Sequence, residues 1–98
     1  MVIQKQECLD KLAAFKHVSG EKFGIKNLGI FGSVARNENR EGSDVDIVVE
    51  ISRPSLSLMY ELRQTLKHLL GCEVDVVRYR DSLRPFFKSN IQNDVIYV

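Results

Sequence analysis

Asp44 and Asp46 open an apolar run, Asp44-Val45-Asp46-Ile47-Val48-Val49, and ten residues before it the chain passes through Phe31-Gly32-Ser33. A third carboxylate, Asp75, lies within Glu73-Val74-Asp75-Val76-Val77. Clustered carboxylates suit hard divalent cations, and a pair of Mg²⁺ ions roughly 3.5–4 Å apart serves in-line displacement at phosphorus. A Gly-Ser turn between strand and helix offers backbone N–H groups and a hydroxyl to phosphate oxygens. Phosphoryl transfer from a magnesium-bound triphosphate needs both halves at once. Strand alternation makes Asp44 and Asp46 point together while Val45, Ile47, Val49 and Ile51 point into a core. If the Asp75 strand lies beside theirs, about 4.8 Å away, the third acid joins the same rim. Three carboxylates that close repel one another unless a cation sits between them. Arg36, about one helical turn past Ser33, can add a charged fork to the same phosphates, and Ser43 either orients Asp44 or caps its loop. Taken singly, a Gly-Ser pair is usually a plain turn and Asp-x-Asp a solvated strand edge; joint spacing carries the reading.

The elements that must position these residues follow from periodicity. Gln4 to Val18 reads as a helix, with Cys8, Leu9, Leu12, Ala13 and Phe15 near one face. Lys26 to Phe31 suits a strand, Val34 to Glu38 a brief helix, and Asn39 to Ser43 a polar loop. Asp44 to Ile51 is the strongest strand, β-branched and half alternating. Ser55 or Ser57 caps a helix that runs to about Leu70, where Gly71 ends it. Glu73 to Arg78 is a third strand. Asp81 or Ser82 caps a last helix, from about Leu83 to Gln92, with Pro85 in its first turn, and Asp94 to Val98 forms a fourth strand. The expectation is an α/β fold, a small mixed β-sheet with helices, in a single domain spanning residues 1–98.

Composition narrows the classes. At 98 residues there is room for one modest core. A formal net charge of +1 argues against nonspecific grip on nucleic acid, so no nucleic-acid partner is expected. No apolar run reaches the roughly eighteen residues a membrane span needs, and the N-terminal stretch is amphipathic rather than a secretory signal. Cys8 and Cys72 lack metal-ligand spacing; two small core thiols fit a reducing, cytoplasmic setting. Glu50 stands about 13 Å along the strand from Asp44, too far for the acid cluster. Tyr60, Phe86, Phe87 and Tyr97 read as core. Arg78, Tyr79, Arg80 and Arg84 read as a solvated basic-aromatic loop, with partner contact or base stacking as the alternatives.

The series strand, Gly32-Ser33-Val34-Ala35-Arg36, loop, Ser43-Asp44-Val45-Asp46 strand, helix, Asp75 strand resembles the nucleotidyltransferases of the DNA polymerase β superfamily, and among them the minimal nucleotidyltransferases. The resemblance covers essentially the whole chain. It implies a DNA polymerase β-like nucleotidyltransferase fold and transfer of a nucleoside monophosphate, AMP from ATP, to an acceptor hydroxyl. Gly32 and Ser33 would hold the triphosphate, joined by Arg36 and Ser43 as the nucleotide-binding candidates read from the residues, and Asp44, Asp46 and Asp75 would hold the metals, two Mg²⁺ ions. The minimal members resemble antitoxins of HEPN-domain toxins, in some cases AMPylating a toxin tyrosine, which makes a HEPN toxin the implied partner. One departure is Asn37, where members often carry glycine; asparagine tolerates left-handed φ. Two other readings stay open: a catalytically weak antitoxin that binds its partner sterically, and a transferase acting on RNA or a small molecule.

Overall fold

The computed structural model describes residues 2–98; Met1, the first residue of the expected domain, lies outside the described residues. Four helices and four strands alternate: α1 (Lys5–Phe23), β1 (Ile25–Phe31), α2 (Gly32–Ala35), β2 (Val45–Ile51), α3 (Leu56–Leu70), β3 (Val74–Arg78), α4 (Pro85–Asp94) and β4 (Ile96–Tyr97). The strands form one mixed sheet in the order β3-β2-β1-β4. β1 runs antiparallel to β2 and β4, whereas β2 and β3 are parallel and are joined by the α3 crossover. The α/β fold with a small mixed sheet is as expected, and most element boundaries move by one or two residues.

The two faces of the sheet are covered unequally. On one, Cys8, Leu12 and Phe15 of α1 and Leu62, Leu66 and Leu70 of α3 close over Leu28, Ile30, Val45, Ile47, Val49 and Val74. Each such aliphatic side chain contributes about 1.5–3 kcal/mol by leaving water. On the other, only Phe31, Val48 and Ile91 are fully covered, flanked by Val77, Tyr79, Leu83 and Val95. α4 is therefore the lid of a thin second core.

Three expectations need correction, and one stated alternative is decided. The first helix does not stop near Val18: it continues through buried Gly20 to Phe23 and ends at Gly24 with φ 66°. Burying Phe23, whose ring lies 5.8 Å from that of Phe15, outweighs the weak helix propensity of Gly20. The last helix starts at Pro85 without a side-chain cap; Asp81 pairs with Lys88 instead, at 3.6 Å. Ser55, not Ser57, caps α3 by accepting from the Leu58 N–H at 3.1 Å. Tyr60, Phe86, Phe87 and Tyr97 are not core but 66%, 80%, 37% and 51% exposed. Leu62, Leu66 and Leu70 occupy the inner stripe of α3, and Ile91 that of α4, so the neighbouring rings face outward.

Candidate active site

The backbone register builds the site. Phe31 on β1 is the partner of Asp46 on β2, and Asp46 is the partner of Asp75 on β3. Partners in a ladder share a face, so Phe31, Asp46 and Asp75 form one transverse row on the thinly covered side. Two residues along, the next row reads Gly29, Val48, Val77, and this is the row on which α4 settles through Ile91. The acids thus stand just outside the second core. Asp46 is partly buried, and Asp75 and Asp44 are exposed, with Asp44 immediately before β2.

Electrostatics follow from that placement. Burial pushes the Asp46 carboxyl above its ordinary range, and the nearby charges of Asp75 and Asp44 push it further; Arg36 opposes the shift. The three aspartates are therefore mutually felt at Asp46, although among the described residues no three His, Cys, Asp or Glu side chains close into a cation cage. An open row of uncompensated carboxylates is the donor set a hard divalent cation takes, so the residues present fit Mg²⁺ chemically. Glu50 is held away, accepting from the Asn27 amide at 2.8 Å.

The Gly32-Ser33 turn lies against Asp46. Gly32 has φ 73°, and a Cβ there would fall inside contact distance of Asp46 Oδ2 and 3.0 Å from its Cγ. A side chain is excluded both by conformation and by the carboxylate. Ser33 follows in the first turn of α2, and the turn ends at Asn37 with φ 59°, the left-handed conformation expected of that asparagine. Arg36 does not stretch along the turn. Its Nε donates to Glu38 at 3.0 Å and its Nη1 to Asp94 at 2.5 Å, which ties α2 to the end of α4. Ser43 closes its own loop: its hydroxyl accepts from the Arg40 N–H at 3.0 Å, and its N–H donates to the Arg40 carbonyl at 2.9 Å. Of the two roles foreseen for Ser43, capping the loop is the one seen.

Sequence reasoning overlooked Asp94 and took Phe87 for core. Asp94 is the sole acid after Asp81, a hint that it answers a distant cation. Phe87 meets Phe31 edge-on, ring centroids 6.2 Å apart, next to the acid row.

A mixed sheet carrying an acid row beside a Gly-Ser turn is a nucleotidyltransferase architecture. The model of the nucleotidyltransferase domain matches residues 12–98, and the chain belongs to that family. Within it, the chain is 42% identical over 93 residues to a candidate protein adenylyltransferase of Methanocaldococcus jannaschii, covering 94% of this chain and 95% of that one. It superposes on a solved candidate minimal nucleotidyltransferase with TM-score 0.80 and 29% identity, covering 96% and 95% of the two chains. A fold-level likeness, TM-score 0.66 at 21% identity over 96% of this chain and 71% of the other, links it to a solved complex of tri-AMPylated Shewanella oneidensis HEPN toxin with MNT antitoxin. No helix among the described residues is long and apolar enough to cross a membrane.

Proposed function

We propose that this chain is a Mg²⁺-dependent adenylyltransferase that moves AMP from ATP to a hydroxyl of a partner protein, a HEPN-domain toxin that it thereby silences. The observation that carries this reading is the Asp46–Asp75 register pair beside Gly32, because it sets one carboxylate against the turn suited to a triphosphate and a second carboxylate next to the first. Asp44, Asp46 and Asp75 would hold the cations. Bound Mg²⁺ offsets the charge of the triphosphate and makes the acceptor hydroxyl a better nucleophile. Gly32 and Ser33 present the turn to the phosphates, Arg36 steadies that turn through Asp94, and Ser43 fixes the loop that delivers Asp44. The adenylyltransferase name of the relative and the AMPylated toxin in the structural neighbour support the choice of AMP and of acceptor. The free thiols Cys8 and Cys72 accord with a cytoplasmic location.

Incubation with labelled ATP, Mg²⁺ and the partner toxin should label the toxin, and Asp44→Asn should abolish the label. Absence of label with the wild-type chain, under conditions where a known adenylyltransferase labels its own acceptor, would overturn the reading. A second reading, neutralisation by binding alone, draws on the open spacing of the acids. It predicts that the Asp44→Asn/Asp46→Asn double variant protects cells as well as wild type.

A further inference from the structure

The aromatic start of α4 lies on the acid-bearing side of the sheet. Phe87 meets Phe31, the residue immediately before Gly32 and the register partner of Asp46. Its neighbour Phe86 is 80% exposed. A singly exposed ring is ordinary, but Phe86 adjoins the partly exposed Phe87 and Leu83, and a contiguous apolar patch rimmed by polar groups marks a binding surface. Together with Arg80, Ser82, Leu83, Arg84 and Phe87 it lines an open groove of about 630 Å³, within the range of small-molecule sites. The guanidinium of Arg80 is spent on the Arg78 carbonyl, 2.9 Å away, whereas that of Arg84 enters no ion pair or hydrogen bond among the described residues. The other exposed aromatics are placed differently. Tyr60 lies on α3, across the sheet, and Tyr97 lies on β4 beside Gly29. Tyr79 is engaged by the Lys88 ammonium, 5.6 Å above its ring, and by Gln92.

We propose that Phe86, Phe87 and Arg84 form a base-stacking subsite, in which the purine ring of a nucleoside triphosphate lies against the α4 aromatics while its phosphates reach the Gly32-Ser33 turn. The proposal rests on the nucleotidyltransferase reading above and adds where the base goes. Phe87 supplies the connection: it touches the residue that leads into the phosphate turn, so one ligand can span both. Aromatic faces and a guanidinium plane accept any base, with Ser82 and Arg84 as polar groups at its edge.

The test compares equilibrium binding of ATP and of inorganic tripolyphosphate, each with Mg²⁺, to wild type, Phe86→Ala and Phe87→Leu. Leucine preserves apolar packing on Phe31, and removing a ring as exposed as Phe86 opens no cavity. Both variants should bind ATP about tenfold more weakly and tripolyphosphate as wild type does. Unchanged ATP affinity in both variants overturns the subsite; if toxin capture then falls, the groove belongs to the partner. A parallel loss of tripolyphosphate binding also overturns it, since the rings would then act through the fold. If wild type binds the two ligands equally, the base has no subsite and the triphosphate reading survives alone. If wild type binds neither, the nucleotidyltransferase reading fails and takes this proposal with it.

Discussion

Gly32 and Asp46 fit together so closely that the carboxylate occupies the space a side chain at position 32 would need. The glycine therefore serves its own metal-ligand candidate as well as any phosphate. Gly32→Ala must either shift Asp46 or distort a turn held at φ 73°. A loss of about 1–2 kcal/mol in stability is expected from the left-handed backbone alone, measured by urea denaturation, together with loss of adenylyl transfer. A variant as stable and as active as wild type would show that the turn relaxes freely.

Asp46 carries a cost that a cation can relieve. Its folded-state carboxyl titrates above the ordinary 3.8, so just above that pH the folded chain holds the proton more tightly than the unfolded chain. The contribution to stability is present at lower pH and is lost as pH rises through the folded-state value, leaving ionised Asp46 unfavourable at neutrality. Asp46→Asn should accordingly melt higher than wild type in chelator at pH 7. Mg²⁺ should raise the wild-type melting temperature, by up to about 2.7 kcal/mol of added stability at a hundredfold excess over Kd, and leave the variant unmoved.

Arg36 and Asp94 should behave as a unit. Arg36→Ala and Asp94→Ala are each expected to lower the melting temperature slightly and by similar amounts, and the double variant no further. Additive losses in that cycle would mean that the Arg36 and Asp94 side chains are not coupled.

Cys8 gives a pH signature remote from the acids. Burial, then the neighbouring Cys72 and Glu7, push its thiol from 9.0 up to about 11. The folded-state value is the higher one, so its contribution is complete below pH 9 and is lost as pH rises toward 11. The loss is of the order of 2 kcal/mol. Denaturation curves at pH 8 and pH 10.5 should show a steeper decline for wild type than for Cys8→Ala, which lacks the titrating group. Thiol reagents at pH 8 should label Cys72 well before Cys8.

The strand content was legible because β-branched runs such as Val45 to Ile51 have few other uses, and Gly71 marked the end of α3 through its left-handed conformation. Alternation set the face that Asp75 shares, but that its strand lies beside that of Asp46 was legible only as a condition, which the β2–β3 pairing meets. Ends set by tertiary demand were not legible. Phe23 draws α1 past Gly20, and nothing local to Gly20 announces that. The exposure of Phe86 and Tyr60 was misread because ring size suggests burial, while the inner stripe had already been filled by leucine and isoleucine. That Arg36 also holds Asp94 was not legible, because that partner lies 58 residues away along the chain.

β3 has five residues and, among the described residues, a single strand neighbour, its outer side met at the Val74 carbonyl by the Arg63 side chain. The third acid is consequently mounted on the part of the sheet that can peel away without disturbing the β1–β2 pair. Amide hydrogens of β3 should exchange sooner than those of β2, and each such opening dismantles the acid row while the main core stays folded. The chain can therefore lose its chemistry at a smaller free-energy cost than it loses its shape, and a partner that grips β3 from outside would raise activity simply by keeping that edge closed.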